Sequence, residues 1–244
     1  MKVFGISHRG VVRKENQDCF RFEAPRGKEL LAAVLCDGMG GAQAGSVASG
    51  IAADAFISHA ASLLEEESTT GDMQNILAEA VNYANIKVYD RSFSDFACMG
   101  MGSTLVALLM NSRSTLVANV GDSRAYYFYK GTIQQITSDH SLVEELVRKG
   151  KISPEQAREH PQKNIITRAV GVEATVKCDI FKAKAAPGSS VLLCSDGLSN
   201  LVSDREILAV LKKRRDCEEA AKALLGLALG RGAPDNVTVV IAQR

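Results

Sequence analysis

Four aspartates in the sequence stand beside short apolar runs and next to glycine or asparagine. In chain order they are Asp37, Asp122, Asp196 and Asp235. A carboxylate at the end of a strand is held at a fixed depth, and an adjacent glycine lets a ligand or another backbone approach closely. If the four carboxylates converge, they repel one another unless cations lie between them. Oxygen ligands without cysteine or histidine favour hard ions such as Mg²⁺ or Mn²⁺.

A fifth acidic residue lies in the polar segment Arg13–Asp18. The arginine precedes the aspartate by five residues, which could place a bidentate phosphate clamp beside a metal ligand. The same segment is also typical of a solvated loop, and Asp-Gly or Asp-Asn after a strand is also typical of a plain turn. The residues alone therefore leave two interpretations open, a metal and phosphate site or a set of unrelated turns.

Composition and charge narrow the class of protein. The chain has 244 residues, of which 46% are hydrophobic and 23% charged, and its formal net charge is +1. This balance argues against long-range attraction to nucleic acid or to an anionic membrane. No apolar run reaches the roughly 20 residues of a membrane span, and the first residues lack the apolar stretch of a secretory signal. The sequence predicts a cytoplasmic protein with reduced thiols that binds neither nucleic acid nor membrane.

The strands that must position these aspartates are predicted from apolar runs and alternating patterns. They are Met1–Ser7, Leu30–Cys36, Thr104–Met110, Ser114–Val120, Arg124–Tyr129, Thr132–Ile136, Ser190–Cys194 and Val237–Ala242. The central four follow one another through short links, which predicts an antiparallel meander because parallel strands need longer crossovers.

Helical periodicity and capping residues predict the helices that cover these strands. They are Gly45–Ala60, Asp72–Arg91, Ser141–Lys149, a short helix from Ser153, Ser203–Arg214 and Glu218–Leu229. Capping boxes mark two of the starts, at Ser153 and Ser203. Strands mixed with helix pairs predict an α+β fold in which antiparallel sheet packs on sheet with helices outside.

Six motifs, taken in chain order, resemble those of the PP2C-type (PPM) metal-dependent protein phosphatases. They are Arg13-x-x-Asn-Gln-Asp18, Asp37-Gly-Met-Gly-Gly41, Gly102-Ser-Thr104, Gly121-Asp-Ser-Arg124, Ser195-Asp-Gly-Leu198 and Asp235-Asn236. The span 139–171 resembles the compact bacterial branch of that family. The resemblance implies a four-layer αββα sandwich of two mainly antiparallel sheets flanked by helix pairs. It also implies a single phosphatase domain over residues 1–244, with a flap at about 138–172.

The resemblance implies a metal ligand at each matching acidic position. Asp37 would bridge two Mn²⁺ or Mg²⁺ ions, and the carbonyl of Gly38 would bind one of them. Asp196 and Asp235 would complete the shell of that inner ion, directly or through water. Asp18 would hold the second ion largely through its waters.

The same resemblance implies the reaction. Arg13 would bind the substrate phosphate, Arg13, Asp18 and Asp37 would form the catalytic centre, and Asp122 would help to form a third, weaker metal site with Asp196. A water that bridges two ions would attack the phosphorus of phosphoserine or phosphothreonine in line, without a phosphoenzyme. The expected partners are phosphoproteins, among them a bacterial serine/threonine kinase that the enzyme counteracts. The expected state is a free monomer.

Two positions depart from many eukaryotic relatives. Met39 stands where those relatives carry a histidine proposed as general acid, so the leaving oxygen would take its proton from a metal-bound water or another group. Gln17 replaces an acidic residue near the second ion.

Two other functions stay open: a phosphatase-like module that binds phosphorylated partners without turnover, and another two-metal hydrolase such as a nuclease. Retention of all five aspartates favours turnover, and a nuclease usually carries a basic tract, of which Lys212–Arg215 is the only compact one.

Overall fold

The computed structural model describes residues 1–41 and 44–244. Its strands are β1 (Lys2–His8), β2 (Asp18–Glu23), β3 (Leu30–Met39), β4 (Gly102–Ser103), β5 (Leu105–Asn111), β6 (Thr115–Val120), β7 (Arg124–Tyr129), β8 (Thr132–Gln135), β9 (Asp179–Ala183), β10 (Ser190–Cys194) and β11 (Val237–Gln243). Its α-helices are α1 (Ala44–Leu63), α2 (Thr70–Ser94), α3 (Leu142–Arg148), α4 (Pro154–Glu159), α5 (Asp196–Ser199), α6 (Asp204–Lys213) and α7 (Cys217–Gly230). Among the described residues, no helix is both long and apolar enough to cross a membrane.

The strands form two antiparallel sheets. The first sheet has the order β1-β11-β10-β7-β8 and the second β2-β3-β5-β6-β9, with β4 paired to β3. Helices α1 and α2 pack on the outer face of the second sheet, and α5, α6 and α7 pack on the outer face of the first. A third apolar layer fills the space between the sheets. The predicted four-layer αββα sandwich is confirmed.

Strand β3 shows why the predicted strands read as continuous apolar runs. Successive side chains of a strand point to opposite faces, and here both faces are covered. Toward the other sheet point Leu31, Ala33 and Leu35. Toward the helices point Leu30, Ala32, Val34 and Cys36. One face of β3 therefore contributes to the apolar layer between the sheets, and the other face contributes to the layer beneath the helices.

The prediction ended β3 too early. The strand continues past Cys36 through Asp37 and Gly38 to Met39. It continues because β2 and β4 supply hydrogen-bonding partners on either side, with Asp18 opposite Asp37 in the register. Glycines that look like a stop signal in the sequence are tolerated when neighbouring strands satisfy the backbone.

Strands β2 and β9 were not predicted. Both lie at an edge of the second sheet and have fewer buried residues than the central strands. Their sequences therefore lack the apolar run that marks a central strand. The predicted capping boxes at the starts of α4 and α6 are confirmed, since each serine bonds the residue three positions on.

Candidate functional site

Both sheets bring their acidic residues to the same end of the sandwich. In the first sheet, β10 ends two residues before Asp196, and its antiparallel neighbour β11 begins two residues after Asp235. Asp122 precedes β7, whose first residue pairs with the last residue of β10. In the second sheet, Asp37 lies near the end of β3, opposite Asp18 at the start of β2. Antiparallel pairing places the end of one strand beside the start of the next, which is why residues so distant in sequence meet.

A cavity of about 270 Å³ lies at this end of the sandwich. It is lined by Arg13, Gln17, Asp37, Gly38, Met39, Gly40, Thr104, Asp122, Asn164, Ile166, Asp196, Asp235 and Asn236. Six of the seven site residues predicted from the sequence are in this wall. The seventh, Asp18, is buried and is not part of the lining. The cavity therefore joins the acidic motifs to the predicted phosphate-binding arginine.

Asp18 connects the two sheets beneath the cavity. Its Oδ2 accepts hydrogen bonds from Ser195 Oγ at 2.8 Å and from Thr238 Oγ1 at 2.6 Å. Its Oδ1 is buried and accepts no hydrogen bond within the described part of the chain. Burial raises the pKa of Asp18 to about 6, against the opposing effect of the two hydroxyl donors. A buried carboxylate oxygen without a donor is costly, so the site fits a cation or a water molecule at Oδ1.

The carboxyl groups around the cavity share an environment that disfavours their charge. Burial, followed by repulsion from Asp18 and Asp196, raises the pKa of Asp37 well above its usual range. Burial and repulsion from Asp196 raise the pKa of Asp122 to about 7. Burial and repulsion from Asp235 raise the pKa of Asp196 to about 6. Such a set of oxygen ligands suits divalent cations, which remove the repulsion.

The metal-free protein is expected to lose stability as the pH rises from 5 to 7.5. Asp18, Asp122 and Asp196 titrate near 6 to 7 when folded but near 3.9 when unfolded, so the folded state binds more protons in between. The stability that protonation supplies is complete below about pH 4 and is lost as the pH approaches 7. Urea unfolding in EDTA should show the midpoint falling over this interval. Saturating Mn²⁺ should flatten the dependence, and a metal-free midpoint that rises between pH 5 and 7.5 would contradict the argument.

Arg13 is held at the cavity by a carboxylate far away in the sequence. Its Nη2 donates to Asp235 Oδ2 at 2.8 Å, and both side chains remain partly exposed. This hydrogen bond and the charge of Asp235 raise the pKa of the guanidinium. The predicted phosphate ligand and a predicted metal ligand are therefore direct neighbours.

Asn236 anchors the loop that carries Arg13. Its Oδ1 accepts from the backbone N–H of Gln17 at 2.8 Å, and its Nδ2 donates to the carbonyls of Arg9 and Glu15 at 2.8 and 2.9 Å. The sequence motif contained Asn236, but no role was predicted for it. Thr238 and Asn164 were also missed as site residues, because nothing in their local sequence marks them.

Replacing Asn236 by alanine should lower the free energy of unfolding by about 2–4 kcal/mol, because three backbone groups lose their partner. The loop that carries Arg13 should loosen, so KM for a phosphorylated substrate should rise more than kcat falls. Chemical denaturation and steady-state kinetics measure the two effects. The exposed Asn75 of α2 provides the control, and Asn75→Ala should change neither quantity. Unchanged KM in Asn236→Ala protein would show that the loop does not depend on this side chain.

Gly38 lies where three segments touch. A Cβ at this position would come within 1.9 Å of the carbonyl oxygen of Gly45 and 2.8 Å of that of Gln17. The backbone N–H of Gly38 donates to the same Gln17 carbonyl at 3.0 Å. Glycine is required here because only its bare backbone lets α1 begin so close to β3. The close contact keeps the Asp37–Gly38 segment at the cavity wall.

Thr104, in the link between β4 and β5, holds Asp37 in place. The Asp37 N–H donates to Thr104 Oγ1, and the Thr104 N–H donates to the Asp37 carbonyl, both at 2.9 Å. The Thr104 hydroxyl also lies 2.8 Å from Ser123 Oγ in the Asp122 turn. The motif Gly102-Ser-Thr104 therefore links the end of β3, which carries Asp37, to the turn that carries Asp122.

The acidic groups surround the cavity and do not meet at one point. In residues 1–41 and 44–244, no three aspartate, glutamate, histidine or cysteine side chains form a group already close enough to hold one ion. Mg²⁺ commonly keeps several waters and is bound through one or two carboxylates. The donor set, all oxygen and mostly carboxylate, fits such ions.

The chain matches the family described as protein phosphatase 2C over residues 5–227. It belongs to this family. The serine/threonine phosphatase stp of Listeria welshimeri is 40% identical over 97% of this chain and 93% of its own length. Within the PP2C family, the crystal structure of the serine/threonine phosphatase Stp1 from Staphylococcus aureus matches with a TM-score of 0.91 at 36% identity, covering 100% of this chain and 94% of that one.

A further solved structure contains metal ions. The catalytic domain of the serine/threonine protein phosphatase PstP, in complex with two manganese ions, matches with a TM-score of 0.82 at 37% identity. The match covers 99% of this chain and 97% of that one. These likenesses cover nearly the whole length of each chain, so the predicted family and fold are both confirmed.

Proposed function

We propose that this PP2C-type enzyme removes phosphate from phosphoserine and phosphothreonine residues of proteins in a reaction that depends on divalent metal ions. The observation that carries the proposal is the single cavity lined by Arg13 and by four aspartates from both sheets. Membership of the PP2C family and full-length similarity to named serine/threonine phosphatases support the reaction class.

The residues that would hold the ions are those around and beneath the cavity. Asp37, the carbonyl of Gly38, Asp196 and Asp235 would bind one ion. Asp37 and Asp18 would hold the second, and the buried oxygen of Asp18 without a donor supports a role as an acceptor there. When bound, two Mn²⁺ or Mg²⁺ ions supply positive charge to the phosphate oxygens and lower the pKa of a coordinated water enough for attack on phosphorus.

Asp122 belongs to a finer part of the proposal. It lines the same cavity as Asp196, and repulsion from Asp196 contributes to its raised pKa. A third, weaker ion between these two carboxylates would relieve that repulsion.

Arg13 would bind two phosphate oxygens through its planar guanidinium group. Its ion pair with Asp235 holds the side chain at the cavity before substrate arrives. In the transition state of phosphoryl transfer, charge is spread over the equatorial oxygens, and a fixed cation beside them lowers the barrier. Met39 lines the cavity but has no proton to donate, so this position supplies no general acid.

Wider features of the proposal concern the organisation and setting of the protein. Residues 1–244 would act as one phosphatase domain, with 138–172 as a flap beside the cavity. The physiological partners would include a serine/threonine kinase whose products the enzyme dephosphorylates. The enzyme would work as a monomer in the cytoplasm.

The decisive experiment measures phosphate release from a phosphothreonine peptide with Mn²⁺, with Mg²⁺ and with EDTA. Release should require the metal and should survive thiol alkylation. Cys36 and Cys194 are buried, and burial raises the pKa of both thiols, that of Cys194 to about 12, so neither suits a nucleophile. Peptide binding without release would favour a non-catalytic binding module. Faster cleavage of DNA than of the peptide would favour a nuclease.

A further inference from the structure

A second cavity of about 300 Å³ opens beside the phosphate-binding cavity. The two share Met39 and Ile166 in their walls. The rest of the second cavity comes mainly from the segment after Ile166, including Val172 and Val176. A substrate bound at the aspartates would therefore lie beside this second cavity.

The side chains nearest the shared wall are apolar. Gly102 has no side chain, and a Cβ there would lie 2.8 Å from both Met39 Cε and Val172 Cγ2. Met39 and Val172 thus lie together over the backbone of Gly102. Val172 is half exposed, at 51%. When an apolar part of a ligand covers an exposed apolar surface, water is displaced and the free energy of the complex falls.

The rest of the lining is polar, because Thr167, Thr175 and three charged residues lie beside the apolar side chains. Arg168 donates to Asp179 at 3.0 Å, lies 3.1 Å from the His140 ring, and so already has partners. Glu173 and Lys177 are exposed and carry opposite charges.

The other side of the phosphate-binding cavity is different. A cavity of about 270 Å³ there shares Asp122, Asn164 and Asp196 with it. Charged side chains contribute much of this wall, namely Arg124, Asp139, Glu144, Arg158, Lys163 and Asp204. The reaction site therefore has one flank with an apolar part, formed by Met39, Ile166, Val172 and Val176, and one strongly charged flank.

We propose that the cavity formed by Met39, Ile166, Val172 and Val176 binds an apolar side chain of the phosphoprotein substrate, on one side of the phosphorylated residue. The proposal rests on the proposed function and names a sequence preference for it. Asp37 and Met39 are alternate residues of one strand, about 7 Å apart. An extended peptide covers that distance in about two residues, so the apolar side chain lies within about three positions of the phosphothreonine.

The test uses phosphothreonine peptides that differ only by leucine, lysine or glutamate at single positions from three before to three after the phosphothreonine. Leucine should raise kcat/KM about tenfold over lysine on one side only, because burial of leucine is favourable and burial of lysine is not. Val172→Asp should reverse that preference toward lysine. Val172→Lys should instead favour glutamate at the same position, an opposite shift that misfolding cannot produce.

Leu63→Asp is the matched control. Leu63 is an exposed leucine at the last residue of α1, about 28 Å along the helix from its start beside the cavity. The Leu63→Asp variant should keep the wild-type preference for leucine over lysine. Phosphate release without any leucine preference, or Val172 variants with the wild-type ratio, would overturn the inference alone. No release from any peptide would overturn the proposed function together with it.

Discussion

Asp37→Asn should lower kcat/KM by about 10³-fold, because the proposed bridging carboxylate loses its charge and the ions lose their shared ligand. Metal ions stabilise the charge of a transition state by several kcal/mol, and the loss of about 4 kcal/mol lowers the rate about 10³-fold. The backbone bonds to Thr104 do not involve the side chain, so the local fold should persist. Steady-state kinetics at saturating Mn²⁺ and calorimetric titration with Mn²⁺ measure the two losses.

The same substitution should stabilise the metal-free protein. Burial and neighbouring carboxylates raise the pKa of Asp37 well above its usual range, so folding must either bury its charge or bind a proton. A neutral amide of the same shape avoids both costs. In a chain of this size each 1 kcal/mol moves Tm by about 2–4 °C. Thermal unfolding in EDTA should give a higher Tm than wild type at pH 7.5, and Mn²⁺ should no longer raise it much. The exposed Asp90→Asn on α2 is the control, and full activity in Asp37→Asn protein would refute the metal assignment.

Arg13→Ala should lower kcat/KM by between about 10- and 100-fold, mostly through KM. A charge-assisted bond to phosphate is worth about 1.5–3 kcal/mol, which corresponds to that range. Mn²⁺ affinity should stay the same or increase, because Asp235 is released from its ion pair with Arg13. Kinetics with a phosphothreonine peptide and Mn²⁺ titration separate the two effects.

Arg26→Ala offers a matched control for the loss of an arginine. Arg26 is exposed in the loop between β2 and β3, away from the cavity lining. Its replacement should leave KM and metal affinity unchanged. If Arg13→Ala weakened Mn²⁺ binding more than substrate binding, Arg13 would serve the acidic cluster and not the phosphate.

The ion pair between Arg13 and Asp235 also affects the charge of the cavity before substrate binds. Without substrate, the arginine offsets part of the negative charge of the cavity, and with substrate it would turn to the phosphate. Asn236 next to Asp235 bonds the backbone on both sides of Arg13, so one short segment controls both the charge and the position of the arginine. The local sequence of Asp235 and Asn236 predicts only a turn. Their contacts with residues distant in the chain show that they position the segment around Arg13.

The amino-acid sequence by itself determined the elements with strong periodicity and the chemistry of the site. Continuous apolar runs such as Leu30–Cys36 predicted buried strands, because a strand covered on both faces needs apolar residues at every position. The aspartates indicated oxygen ligands for a hard cation, and the resemblance of the ordered motifs to PP2C-type enzymes implied a metal-dependent phosphatase. Local patterns sufficed for these features because each depends on neighbours in the chain.

Tertiary structure decided the features that depend on distant partners. Edge strand β2 has too few buried residues to be predicted from an apolar run. Strand β3 extends through Gly38 only because β2 and β4 pair with it. Asp18 is buried between the two sheets, where it accepts hydrogen bonds from Ser195, just after β10, and from Thr238 of β11. A turn aspartate and a site aspartate look alike in sequence, and they differ in the strands that antiparallel pairing brings beside them.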